Sequence, residues 1–143
     1  MGNMKQRLIK AGRDFNYAEG VKVKNGTGAD IAANLIVYFI GHEGPYLKIA
    51  LADQGAVTTC SGRLMITKHA IPDGGYGVVL PWKLVTGVDT TDAASAGAPL
   101  YLAASGAFAG SAGGTTTVYV GHALTDADPG AWVFCGEGAN RIT

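Results

Sequence analysis

GAPLYLAASGAF, residues 97 to 108, decides the fold class. Leu100 and Leu102 alternate with Tyr101 and Ala103, the period of a strand with one face buried. Ser105-Gly106 then offers a two-residue turn, and Phe108 starts a short run back. The segment reads as a β-hairpin. The same grammar recurs on both sides of it. TTTVYVGHAL (115 to 124) sets Thr116, Val118 and Val120 against Thr117 and Tyr119, and AWVFCG (131 to 136) follows the turn TDADPG. Upstream, Val21 and Val23 alternate with Lys22 and Lys24 before the turn signal Asn25-Gly26. PYLKIALADQG places Leu47, Ile49 and Leu51 on one face. RLMITK sets Leu64 and Ile66 against Arg63, Met65 and Thr67.

Three segments depart from plain alternation. NLIVYFI (34 to 40) is continuously apolar and rich in β-branched and aromatic residues, which reads as a strand covered on both faces, although period alone does not separate it from a short buried helix. VVLPW and KLVTGVD are short strands around Pro81, which argues for an edge or a bend there. TTDAASAG (90 to 97) is a small-residue turn region with room for a single helical turn. IPDGGYG (71 to 77) is a loop by its proline and glycines. About nine or ten short strands with almost no helical periodicity predict an all-β protein, a small sandwich or barrel-like domain.

Composition agrees with this. The chain has 143 residues, the length of one domain with an ordinary core. Charged residues make up 15% and hydrophobic ones 48%, so the chain must hide apolar surface in its own core or against partners. The 22 glycines are scattered between apolar runs, as tight turns require, which excludes collagen-like and linker readings. No run reaches the ~20 apolar residues of a membrane-spanning helix, and MGNMKQRLIKAGRDF has no apolar signal region. No membrane association is expected.

Charge divides the chain. Residues 1 to 19 read as an extended basic arm and 20 to 143 as the β-rich domain. Six of the 11 basic residues fall at Lys5, Arg7, Lys10, Arg13, Lys22 and Lys24, whereas no Lys or Arg occurs from Leu84 to Asn140. Asp89, Asp92, Asp126, Asp128 and Glu137 all lie in that second stretch. Basic arm and acidic body point to contacts between protein chains. No aromatic platform or groove-reading helix accompanies the arm's charges, so nucleic acid is not an expected partner.

The search for chemistry is negative. His42, His69 and His122 lack the HExxH spacing that sets two ligands on one helical face. Cys60 and Cys135 stand far apart without CxxC partners, which argues against zinc and for two small buried thiols in a reduced, cytosolically made protein. NGTGAD lacks the spacing and the GK[ST] ending of a phosphate loop. Asp126 and Asp128 flank a proline turn outside any EF-hand pattern. No catalytic residue, cofactor or metal is expected. Trp82, Trp132, Tyr38, Tyr101 and Tyr119 could line a carbohydrate site. Spread over separate strands, they are more economically core or subunit-interface residues, with Tyr38, Tyr101 and Trp132 the candidates for an oligomer interface.

The C-terminal half, TGVDTTDAASAGAPLYLAASGAF, TTTVYVGHAL and AWVFCGEG, resembles the capsid decoration (cement) proteins of tailed phages. The matching pieces are Gly87 to Asp89, Gly97 to Leu102, Ser105-Gly106, Val120-Gly121 and Trp132 to Gly136, with IPDGGYG upstream; together they span about residues 70 to 138. The resemblance implies a non-enzymatic virion protein, made in the host cytoplasm. It would bind the major capsid protein on the capsid exterior as a homotrimer at three-fold and quasi-three-fold positions. There it would brace the shell. The arm, through Lys5, Arg7, Lys10 and Arg13, is the expected capsid contact. A phage head or tail appendage binding host-surface glycans is the alternative. A small β-barrel enzyme, with His69 or His122 beside Cys60 or an aspartate, is the third reading.

Overall fold

The computed structural model describes residues 20–112 and 116–135. The basic arm of residues 1 to 19, with Lys5, Arg7, Lys10 and Arg13, lies outside the described residues.

The chain is all-β. Five strands close a barrel: β1 (Val21–Asn25), β2 (Ile36–Glu43), β3 (Tyr46–Leu51), β4 (Leu64–Thr67) and β5 (Tyr76–Leu80). Around the barrel the order is β1-β3-β2-β4-β5 and back to β1. Strands that alternate in direction cannot close a ring of odd number, so one neighbouring pair must run parallel. That pair is β1 and β3, in the register Val23 with Leu47 and Asn25 with Ile49. The lumen is filled by Val23, Ile31, Val37, Ile49, Met65, Ile71 and Val79.

The second layer is a five-stranded antiparallel sheet of β6 (Trp82–Val88), β7 (Pro99–Leu102), β8 (Phe108–Ala109), β9 (Tyr119–Ala123) and β10 (Gly130–Cys135), in the order β6-β10-β9-β7-β8. It packs on the barrel wall. Ile36, Leu64, Ile66 and Leu80 of the barrel meet Val85, Leu100, Leu102, Val120, Trp132 and Phe134 of the sheet in one core.

This second layer explains the start of the apolar run NLIVYFI, while Ile40 at its end is 43% exposed, against the expectation of cover on both faces. Ile36 belongs to the core between the layers and its neighbour Val37 to the barrel lumen, so both faces of the strand are covered there. Strand β4 behaves likewise: Leu64 and Ile66 face the sheet, Met65 faces the lumen, and all four of its residues are buried. Pro81 is the corner where β5 of the barrel passes into β6 of the sheet. Residues 90 to 97 form turns and bends without a helical turn.

The hairpin at 97 to 108 pairs Leu102 with Phe108 and Tyr101 with Ala109. Ser105 and Gly106 both have positive φ, 55° and 77°, as the Ser-Gly signal requires. Its tip reaches the barrel: Gly106 is buried, its N–H donates to Ala52 O at 2.7 Å, and the Ser105 N–H donates to Asp53 Oδ2 at 3.2 Å.

Candidate interaction surface

Alternation along β6 sends Val85 into the core and leaves Trp82, Leu84 and Thr86 on the outer face of the sheet. Trp82 is 57% exposed and Leu84 53%. Across the ladders Trp82 stands beside Cys135, Leu84 beside Val133, Val133 beside His122, and His122 beside Pro99. Tyr101 pairs with Tyr119 at the far side. The Tyr119 hydroxyl stands 3.5 Å from His122 Nδ1, and partial burial, with Cys135 and Tyr101 nearby, holds its ionisation above the ordinary tyrosine range.

Among the described residues the five strands carry one formal charge, Lys83, and it points the other way. Its ammonium donates to Asn34 Oδ1, to Lys68 O at 3.0 Å and to Thr67 O at 3.4 Å, all on the barrel side. Burial, with Lys68 nearby, lowers its pKa. The outer face therefore carries no Lys, Arg, Asp or Glu from these strands, and sets Trp82, Leu84, Val133, Tyr101 and Tyr119 beside the polar Thr86 and His122. Depletion of charge with enrichment of Trp and Tyr is the composition of the centre of a protein–protein interface.

The residues singled out for an oligomer interface go to three different places. Trp132 is 1% exposed, packed 4.6 Å from the Phe108 ring and 6.2 Å from Phe134, so its indole is core within one chain. Tyr38, on β2, is half-buried against the core between the layers. Tyr101 alone of the three lies on the outer sheet face. Sequence reading missed Leu84 and treated Trp82 only as one of several scattered aromatics. The signal that could have found them is the Trp82-Leu84-Thr86 alternation beside Pro81.

The candidate reactive groups stay apart. His42, near the end of β2 rather than in the turn, has its Nδ1 3.1 Å from Gly44 O, and His69 Nδ1 lies 3.0 Å from Ala70 O. Cys60 is fully buried, donates from Sγ to Ala56 O at 3.2 Å, and has its pKa pushed up by that burial. Cys60 and Cys135 are not joined to each other, and Cys135, expected buried, is only half-buried. No group of three His, Cys, Asp or Glu that could hold a metal occurs among the described residues.

NGTGAD is a turn stapled from within. Asn25 is 1% exposed; its Nδ2 donates to Ala29 O at 2.7 Å and Ile71 O at 3.1 Å, and its Oδ1 accepts from Thr27 N at 2.9 Å. A crevice of about 590 Å³ opens between the layers, lined by Asn34, Leu35, Asp89, Thr91, Asp92, Ala107 and Phe108. Its carboxylates hold turns. Asp89 Oδ1 accepts from Thr91 N and Oγ1, and Asp92 Oδ2 accepts from Gly110 N at 2.6 Å. The Thr91 bonds keep the Asp89 carboxyl below the usual range.

No family model, no curated protein and no solved structure matches the chain.

Proposed function

We propose that the chain is a structural protein that acts by burying surface against other proteins, seated on the exterior of a tailed-phage shell and bracing it. The observation that carries this reading is the charge-free outer face of the second sheet, with Trp82 and Leu84 more than half exposed. An apolar aromatic face costs free energy in water and regains it, at ~25 cal/mol per Å², when a partner covers it. The phage shell as partner, and a trimer as the bound form, come from the resemblance of the C-terminal half. On a repeating lattice many modest contacts add, so each copy needs only moderate affinity.

The glycan-binding alternative asks for polar groups beside an exposed ring. The register neighbours of Trp82 are Cys135 across the ladder and Leu84 along its own face, and neither is a carboxylate or an amide. Shell binding is therefore the reading adopted.

The test mixes the protein with undecorated tailed-phage capsid shells. Bound protein is expected to raise the temperature at which the shells disrupt, and W82K/L84K at equal concentration is expected not to bind. Saturating occupancy without a rise removes the bracing role, and no binding by the native chain removes the reading.

A further inference from the structure

Charge gathers at two separate places on the molecule. On the outside of the barrel, Lys24 of β1 stands opposite Lys48 of β3 in the parallel register, and Lys22 lies on the same face of β1. Like charges directly opposite each other destabilise a sheet. Among the described residues a single carboxylate, Glu43, pairs with these lysines, accepting from the Lys24 ammonium. Tyrosines steady the rest. The Lys22 ammonium stands 5.3 Å from the centroid of the Tyr46 ring and 5.8 Å from that of Tyr76, and the two rings meet edge to face at 5.0 Å. Tyr76 is 47% exposed. No residue of β1 or β3 enters the core between the layers, so this face looks away from the second sheet.

The opposite sign collects on loops at one end of the second sheet. Asp89, Asp92, Asp126 and Asp128 are all exposed there, in a stretch without Lys or Arg. Thr90, fully buried, ties the two loops together: its N–H donates to Ala127 O at 2.9 Å and its hydroxyl to Thr125 O at 2.7 Å. Asp89 and Asp92 each use one oxygen on a turn, whereas Asp126 and Asp128 make no hydrogen bond or ion pair among the described residues. The two charged places cannot neutralise each other within one molecule. Strand β2 begins just after Asn34 and Leu35, which share a crevice with Asp89 and Asp92, and it ends at Glu43 among the lysines. Its length is about 25 Å at ~3.3 Å per residue.

We infer that copies of this chain associate head to tail, the lysine face of one barrel seated against the aspartate loops of the next. Each place supplies the charge the other lacks. Each also carries exposed apolar side chains. Ile40, 43% exposed, flanks the Lys48 stem, since both side chains come within 3.4 Å of a Cβ placed on Gly26. Leu124, 44% exposed, precedes the Asp126 turn. Apolar anchors within a charged rim are the anatomy of a specific interface. The two surfaces differ, so a copy bound through one still offers the other, and the contact closes a ring or runs on. A single nucleic acid strand fits the lysine face less well, because lysine ammoniums already cover the tyrosine rings on which bases would stack. Neither surface uses Trp82 or Leu84, so the association does not depend on the shell reading.

Sedimentation velocity on the full-length chain, free of any shell, tests it. Association is expected at low salt and should weaken about tenfold or more between about 0.01 and 1 M, as the screening length falls from about 30 to 3 Å. K22E/K48E and D126K/D128K should each self-associate about tenfold more weakly than the native chain, or worse. Mixed in equal amounts the two variants should associate again, because every contact between unlike copies then sets lysines against carboxylates. A native chain that stays monomeric at low salt overturns the inference, and so does association that salt leaves unchanged. A mixture of folded variants that stays dissociated overturns it as well. A native monomer that instead binds a single-stranded oligonucleotide overturns it and assigns the lysine face to nucleic acid.

Discussion

The backbone N–H of Gly106 donates to the carbonyl of Ala52 at 2.7 Å, tying the tip of the sheet's hairpin to the wall of the barrel. A Cβ at residue 106 would fall 2.7 Å from Ile36 O, and φ there is +77°. Gly106→Val combines left-handed backbone strain with a clash against β2. The expected loss is about 2–4 kcal/mol in urea unfolding. A loss below ~0.5 kcal/mol, the scale of an ordinary surface change, would mean that the tie carries no stability.

The two tryptophans should respond in opposite ways. Trp132→Ala empties a site between Phe108 and Phe134 and should cost ~3–5 kcal/mol. Trp132→Phe should stay within about 1 kcal/mol of native stability, because the buried indole N–H has no acceptor among the described residues. Trp82→Ala should leave stability within ~0.5 kcal/mol and weaken shell binding. Calorimetry and a binding isotherm on the same three variants separate core from contact.

Asn25 closes the turn after β1 from inside, so its replacement tests whether NGTGAD is structural. Asn25→Ala removes one of two donors from Ala29 O and from Ile71 O, takes the Oδ1 acceptor from Thr27 N, and should cost ~1–3 kcal/mol in denaturant unfolding. Asn25→Asp should cost more at neutral pH, because a carboxylate would face those carbonyls. Its folded-state pKa would be raised, so the penalty should shrink as pH falls toward ~4.

Cys60 predicts an alkaline limit. Burial raises its folded-state pKa, so the native chain keeps the proton when the unfolded chain, with a thiol pKa of ~8.5, gives it up. Below that pH both states hold the proton and the group contributes nothing. Above it the unfolded state binds fewer protons, and stability should fall with rising pH. Cys60→Ala should flatten the slope between about pH 8.5 and 10 in denaturant titrations. An unchanged slope would show that another group sets it.

The all-β class and the hairpin at 97 to 108 were legible because both rest on local chemistry: period-two alternation and a Ser-Gly turn. The strand at NLIVYFI was legible as well, but its cover on both faces holds only for Ile36 and Val37: Tyr38 and Phe39 are half-buried and Ile40 is 43% exposed. The partition of its neighbours was not legible. Ile36 and Val37 enter different cores only because a second sheet lies against the barrel. Trp82 and Trp132 look alike in composition, and only the register of β6 on β10 sends one outward and the other inward. The outer face was hidden for the same reason, because it is assembled from strands distant in sequence.

The single parallel pair of the barrel also sets an order of events. Of the five barrel strands β1 (Val21–Asn25) leaves the ribosome first, yet its two neighbours are β3 and β5, and β5 ends at Leu80. The ring cannot shut until some 55 further residues have been translated. The earliest of the barrel's strands is thus its closing stave, waiting beside a four-stranded trough that opens to water. Separating it as a peptide should yield two fragments that reassemble only with each other, a natural place to divide the molecule into a complementation pair.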